Sequence, residues 1–521
     1  MFGHLIVIFC VLSLVFASPT GPSFWEILFG LESVPSKPVD IIIIGAGVSG
    51  LSGARHILEK SKVPVRVKIL EARDRIGGRI HTNHDFGVEM GAGWIHGTNL
   101  ANPIYELAVK HEIPTLYVGG DEAYIGGQYL IKLLDGEGKT IDPVLRLRSF
   151  ALMEELWIRI EQHQEKKRSL LLKEIKSVTK GLSNPERRRA IGKYLKADGD
   201  SICHVFEREM AKMNLTADDR KLLNWHFEIS FGGDDGADPC DLGIAGYLQY
   251  SLDFRGDDSV FPQGYDSIPN ILAEGLDIEL NQKVVKISYD TTDGISRVYT
   301  ETGDEPYKAE YVLVTVPLGY LKQESLLEFD PPLPDWKMES IRRIGMGVLD
   351  RVALKFEEPF WPLDQYTFGY VSDTKGEWPM IVNQYVVTKR PILEFMVGGP
   401  AAIDLIENRT AEEIQQHLMK VLKKLFGASG NVPDAPIDMV FSKWAQDPYT
   451  FGSYSHIPPG VTDSERLYLA KSIDDVLFFA GEATEVSFGM TVVGAYKSGH
   501  REAKNILEHI HRRKQNDDYD D

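Results

Sequence analysis

An α/β fold, in which a parallel β-sheet is wrapped by helices and joined by a second α+β unit, is what this sequence predicts, and three stretches carry the expectation. The first is VDIIIIGAGVSGLSGARHILEK (39–60), an apolar run, a glycine turn and a small-residue helix. The second is KILEARDRIGGRI (68–80), a strand that ends in an acid and gives way to glycine and arginine. The third is DVLFFAGEATEVSFGMTVVGAYKSGHREAKNIL (475–507), which reads as strand, Gly-Glu turn, small-residue loop and helix.

Each element has a physical reason. Val39 to Ile44 is β-branched at every position but Asp40, as expected of a parallel strand buried on both faces. Gly45, Gly47 and Gly50 make G-x-G-x-x-G, which supplies a tight turn, a close backbone approach to a pyrophosphate and tight helix–strand packing. The helix beyond the turn aims free N–H groups and its positive dipole end at the phosphates. Glu71 closes the second strand about 20 residues after the last glycine, where an acid accepts hydrogen bonds from a ribose hydroxyl. A lone glycine turn would be weak; strand, helix, second strand and acid in order predict a bound dinucleotide in a Rossmann-like domain.

The residues just beyond the acid select the dinucleotide. Arg73, Arg75, Gly77, Gly78 and Arg79 come directly after it, and GAGWIHG occupies 91–97. A nicotinamide enzyme has no need of this second glycine-arginine segment, whereas FAD, which runs on across the sheet, does. Here the chain resembles the flavin-containing amine oxidase family, and within it the polyamine oxidases, from about residue 38 to 510. The resemblance is carried by IIIIGAGVSGL, LEARDRIGGRI, GAGWIHG, LNQKVVKI (280–287), YVLVTVPLGYL (311–321), LKFEEPFWP (354–362), FGSYSHIPPG (451–460), FFAGEAT and TVVGAYKSG, all in the family's order.

The resemblance implies the flavin amine oxidase fold: a Rossmann-like FAD-binding domain built from discontinuous segments (38–115, 255–325 and 465–512) and an α+β substrate-binding domain (116–254 and 326–464). It implies that Gly45, Gly47, Gly50, Glu71, Arg73, Arg79, Gly93, Trp94, Val284, Trp444, Gly481, Glu482, Thr491 and Val492 hold FAD. Covalent members use a cysteine near the flavin, and none lies in 441–521, so attachment is expected to be noncovalent. His96 matches a polar residue near the amine, and Tyr454 an aromatic that walls the amine against the flavin. Thr491 stands where plant-type members put a second aromatic. Arg351, in GMGVLDRVALKF (345–356), replaces a lysine that the family links through water to the flavin N5. Arginine keeps the charge but is planar, larger and effectively never neutral, so the exchange is not conservative. An acid of the substrate tunnel is hard to place, with Glu228 and Asp234 as candidates.

The reaction implied moves a hydride equivalent from the carbon beside nitrogen to the flavin, with oxygen ending as hydrogen peroxide. The expected substrate is a small cationic amine, a polyamine or acetylated polyamine, with O2. Two other readings stay open: an FAD oxidase of another class, such as an L-amino-acid oxidase, or a flavin-binding homologue without catalysis, encouraged by Arg351 and the RGD tripeptide at 255–257. An amino-acid oxidase would need an arginine clamp for the substrate carboxylate, in a segment where GAGWIHG stands instead.

Composition sets the outer limits. The 521 residues, 43% hydrophobic and 10% aromatic, describe a globular chain with room for two domains. Its 57 basic and 76 acidic residues leave −19, which argues against nucleic acid and would steer a cation inward. There is no H-E-x-x-H and no C-x-x-C, so no catalytic metal is expected. LIVIFCVLSLVF (5–16) is shorter than the roughly 20 residues that span a bilayer, and Val15 and Ala17 suit cleavage of a signal peptide at 1–17, a retained anchor being the alternative. We therefore expect a secreted protein with no membrane contact after cleavage. In an oxidising compartment Cys203 and Cys240 could pair, and Asn214 and Asn408 are glycosylation sequons. The basic clusters Lys166–Arg168 and Arg187–Arg189 read as solvated helix faces, GGDDGADPCD (232–241) as a loop, and 513–521 as a disordered acidic tail. Oligomeric state has no sequence signal.

Overall fold

The computed structural model describes residues 38–119, 131–178, 199–244, 254, 256–289, 293–429 and 431–520. The expected signal peptide, Arg255 of the RGD tripeptide and the cluster Arg187–Arg189 lie outside the described residues.

The run VDIIII forms the strand Val39–Ile44 at the centre of a five-stranded sheet. Its neighbours are Val65–Leu70 and then Asp277–Glu279 on one side, and Tyr311–Val314 and then Leu477–Phe479 on the other, every pair parallel. Ile41 to Ile44 are no more than 3% exposed because both faces are covered. Alternation divides them: Ile41 and Ile43 pack with Leu51, Ala54 and Ile506, and Ile42 and Ile44 with Val298, Leu318 and Phe479.

The helix Val48–Lys60 comes after the glycine turn and lies against the last helix, Val492–Asp520. Small residues let the two approach closely: a Cβ on Gly499 would stand 2.1 Å from the Ser49 carbonyl oxygen, and the Ser49 and Ser498 hydroxyls are 3.2 Å apart. This contact brings the first and third of the sequence's signal stretches together. The last helix runs through Asp520, so the acidic residues expected as a disordered tail continue it. Adding a residue to an anchored helix costs far less than nucleating one, and the docked half supplies the anchor.

A second, six-stranded sheet has the order Asp438–Phe441, Leu349–Lys355, Ile392–Gly398, Met380–Asn383, Thr367–Val371 and Lys132–Asp135. One face carries Val352, Leu354, Phe395 and Val397 under the helix Ala411–Phe426. The other face carries Ala353, Ile392 and Met396 against Phe86, Val88, Tyr366 and Trp94. By the two-residue period of a strand, Arg351 shares that second face with Ala353 and so points toward the glycine-arginine segment of the first unit. The helices Pro143–Val178, Ile202–Met210 and Ala217–Phe227 build a further cluster around Leu156, Phe206 and Phe231, closed by a disulfide between Cys203 and Cys240. No helix among the described residues is long and apolar enough to cross a membrane.

Candidate active site

The glycine turn explains its own composition. Gly45 sits at φ +105°, and a Cβ on Gly50 would stand 2.0 Å from the Gly45 carbonyl oxygen, so neither position takes a side chain. A Cβ on Gly47 would meet nothing within 4 Å, and no side chain caps the helix that begins at Val48. An open space therefore faces unsatisfied helix N–H groups. Glu71 is 6% exposed and grips this turn: Oε2 accepts from the Ala46 N–H at 2.7 Å and Oε1 from the Arg73 N–H at 2.8 Å. Burial pushes its carboxyl up, with those two bonds pulling the other way. Both oxygens thus have backbone partners, and a ribose hydroxyl would take a remaining lone pair.

Three distant segments meet at Glu482. Its Oε1 accepts from Arg79 Nη1 at 2.9 Å, and Oε2 accepts from Ser455 Oγ at 2.6 Å and the Met490 N–H at 3.1 Å. Burial raises this carboxyl, but Arg79 and Arg466 outweigh it and hold the group below its ordinary range. Gly481, at φ +125°, again has nothing within 4 Å of a Cβ. Thr491, standing where plant-type members put an aromatic, uses its hydroxyl locally: Oγ1 donates to the Phe488 carbonyl and accepts from the Gly494 N–H at 3.0 Å, capping the helix that starts at Val492.

Other expected residues find partners within the protein. Arg73 pairs with Asp447 at 2.6 Å and lies 4.8 Å from the Tyr449 ring. Val284 opens a core strand and packs with Ile42 and Leu70. Trp444 donates its indole N–H to the Met90 carbonyl at 2.9 Å, directly beneath the GAGW segment. Tyr454 donates to the Gly233 carbonyl at 2.7 Å, and burial, then Asp234 and Asp235, keep its hydroxyl protonated. Glu228, a candidate tunnel acid, faces Lys375 at 3.9 Å and is raised by burial.

A cavity of about 440 Å³ opens where the two units meet, with Glu89, Gly93, Trp94, Phe261, Arg351 and Tyr366 in its wall. His96 is not among the residues that line it; the ring is largely exposed, with Nδ1 3.1 Å from Asp258 Oδ2. Arg351 is 5% exposed, its guanidinium carbon 4.8 Å from the Trp94 ring, and a Cβ on Gly93 would come within 3.1 Å of its Nη1. Nη1 donates to Glu394 Oε1 at 2.6 Å, and Gln384 Nε2 donates to Oε2 of the same carboxylate at 2.5 Å. The arginine expected to stand in for a flavin-linked lysine is thus held by a buried acid. Sequence reasoning passed over Glu394, although a lone acid in the apolar strand ILEFMVG signals a buried partner. It also passed over Glu89, whose carboxylate accepts from Thr82 Oγ1 at 2.9 Å and the Tyr265 N–H at 2.8 Å, both neutral donors. Burial pushes Glu89 up to about 7.

With this geometry established, comparison with known proteins decides the family. Residues 48–507 match the profile of flavin containing amine oxidoreductases. The chain belongs to the flavin-containing amine oxidase family. Among curated relatives, the Probable polyamine oxidase 4 of Arabidopsis thaliana is 30% identical over 91% of this chain and 88% of its own length. The Lysine-specific histone demethylase 1 homolog 3 of the same plant is 32% identical over 92% of this chain, which spans only 31% of that relative. A putrescine oxidase structure with putrescine bound shares the fold at a TM-score of 0.67 and 20% identity, covering 91% of this chain and 99% of that one.

As a member of this family the chain takes FAD, and its residues fit one. The open spaces at Gly47 and Gly481 lie beside helix N–H groups and the Arg79–Glu482 pair, as a cradle for an extended, phosphate-bearing group requires. The turn at Gly45 to Gly50, with Glu71, would hold the adenosine half, and Arg79, Gly481 and Glu482 the half that runs on. When bound, FAD supplies two-electron chemistry between an amine and oxygen. Trp94, Phe261 and Tyr366 give the cavity flat aromatic surfaces among its polar residues, and Arg351 brings a charge that Glu394 already balances. Among the described residues no group of His, Cys, Asp and Glu gathers as a metal site.

Proposed function

We propose that this chain oxidises a C–N bond of polyamines or acetylated polyamines, consuming O2 and water and giving an aldehyde, an amine and hydrogen peroxide. The observation that carries this is Glu89: a carboxyl in the wall of a cavity that also presents Trp94, Phe261 and Tyr366, with neutral hydrogen-bond partners, is relieved of its burial cost by an arriving ammonium. The net charge of −19 favours cationic ligands, and the polyamine oxidase relatives are matched over most of their length. An α-amino acid would want an arginine for its carboxylate; Glu394 already engages Arg351, and Arg390 at the cavity wall donates to the His84 and Asp85 carbonyls.

We place the reaction outside the cell. The apolar segment 5–16, the disulfide, and two exposed sequon asparagines, Asn214 and Asn408, support secretion as a glycoprotein.

The test is the visible spectrum of the oxygen-free holoprotein before and after spermine or N-acetylspermine. Bleaching of the flavin band is expected with at least one of them, and return of colour in air gives the oxidase rate. A band that persists with both overturns the polyamine reading, and bleaching by an amino acid instead would replace it.

A further inference from the structure

The segment from Phe231 to Gly243 lies between the strand Leu349–Lys355, which carries Arg351 into the cavity wall, and the strand Tyr454–His456. It is rich in glycine and buries a carboxyl, Asp235, whose Oδ2 has no hydrogen-bond partner among the described residues. On one side it meets the lead-in to the Arg351 strand: the Val348 N–H donates to the Gly236 carbonyl at 2.7 Å, and a Cβ on Gly347 would stand 2.6 Å from the Asp235 carbonyl oxygen. On the other it meets the Tyr454 strand and its continuation to Ile457: Tyr454 donates to the Gly233 carbonyl at 2.7 Å, and the Gly243 N–H to the Ile457 carbonyl at 2.8 Å. Flexible backbone and a buried acid with one oxygen lacking a hydrogen-bond partner both work against keeping this segment in place.

What opposes them is a staple at its far end. Cys240 is bonded to Cys203 at the start of the helix Ile202–Met210, the Cys203 N–H donates to the Pro239 carbonyl at 3.1 Å, and the Ile202 N–H to the Leu242 carbonyl at 2.9 Å. Cys240 is exposed, so a thiol can reach it.

We propose that the Cys203–Cys240 disulfide is a positioning bond that fixes the carbonyls receiving Tyr454 and Val348, and through Val348 the strand that brings Arg351 to the cavity, while leaving the flavin cradle untouched. The cradle is tied by other contacts, Glu71 to the glycine turn and Glu482 to Arg79, Ser455 and Met490, none of which involves residues 231–243. Reduction by dithiothreitol breaks the S–S bond, gives two protein thiols and leaves the reagent as its cyclic disulfide. The effect on amine binding rests on the proposed amine oxidation and on the place beside the amine that the family resemblance implies for Tyr454, which does not line the cavity of Glu89; the anchoring of the segment rests on neither.

Two measurements on full-length holoprotein separate the two. Amide hydrogen exchange over peptides containing 231–243 and 345–349 is expected to quicken at least tenfold in the Cys203→Ser/Cys240→Ser variant, with exchange around 45–50 and the flavin absorbance unchanged. Steady-state kinetics with spermine or N-acetylspermine, whichever bleaches the flavin, is expected to show KM raised at least fivefold with kcat changed less than twofold. That rise should vanish when the pair is removed from Tyr454→Phe protein, because the bond it acts through is already gone. Unchanged exchange in 231–243 overturns the anchoring, and quickened exchange with unchanged KM overturns its role in the site. A wild-type holoprotein that no amine bleaches fails the proposed function, and exchange alone then decides the anchoring.

Discussion

Glu394→Gln is the substitution for which the structure sets the clearest magnitude. The Arg351 and Glu394 side chains are 6% and 1% exposed, and their atoms meet at 2.6 Å. Neutralising the acid leaves a guanidinium that cannot shed its proton and has lost its buried counter-charge. Removing one partner of a buried pair costs about 3–5 kcal/mol, which is about two to three and a half decades in the folding equilibrium at roughly 1.4 kcal/mol per decade. An attraction of about 4 kcal/mol for unit charges near 4 Å at an effective dielectric of 20 falls in the same range. Gln384 loses a charged acceptor as well. The assay is urea unfolding of the holoprotein at saturating FAD, monitored by tryptophan fluorescence. Replacing both partners, Arg351→Met with Glu394→Met, is expected to recover most of the loss, since an apolar pair of similar volume is often neutral or better. A single-variant loss below about 1 kcal/mol, the level of an exposed pair, would refute the assignment of Arg351 to a buried lock.

Four further outcomes are expected. Gly47→Ala should fold as wild type but hold FAD at least tenfold more weakly, because its Cβ enters only the open space, whereas Gly50→Ala should fail to fold normally, its Cβ striking the Gly45 carbonyl; equal flavin affinity for Gly47→Ala would place the cofactor elsewhere. Glu89→Gln should raise KM for polyamines about tenfold or more, and wild-type affinity should climb as pH rises through about 7, where the carboxyl ionises; a pH-independent KM would remove Glu89 from recognition. His226 and His456, both brought down to about 4 first by burial, bind their protons only in the unfolded chain between pH 4 and 6.5, so stability should fall as pH drops through that window, by about 3 kcal/mol each if fully expressed; a flat melting temperature from pH 7 to 4 would contradict this. Full-length chain passed through a eukaryotic secretory pathway should lose mass on treatment with a peptide N-glycosidase, and Asn214→Gln and Asn408→Gln should each remove one step while leaving the helix-capping hydroxyls of Thr216 and Thr410 in place.

The sequence by itself determined the nucleotide half of this protein. Val39–Ile44, the three glycines and Glu71 are close in the chain, and their chemistry is local: a strand buried on both faces must be apolar, and a turn that brushes its own helix must be glycine. FFAGEAT and TVVGAYKSG carried the same kind of local signal, and the two signals meet because small residues on both helices permit it. What the sequence left open is what depends on a neighbour far along the chain. Arg351 stood in the sequence for a lysine linked to the flavin, and its partners Glu394 and Trp94 are set by the fold. Thr491 and Arg73 were both expected beside the cofactor; the fold turns the Thr491 hydroxyl to cap a helix and pairs Arg73 with Asp447. Glu89 carried no motif, and only the packing of two sheets gave it a cavity to face. Motifs record constraints between adjacent residues, whereas the charge state, partner and exposure of a side chain are set by whatever the fold brings against it. For that reason the glycine turn and its acid were legible in the sequence, while the lining of the cavity was decided by tertiary structure.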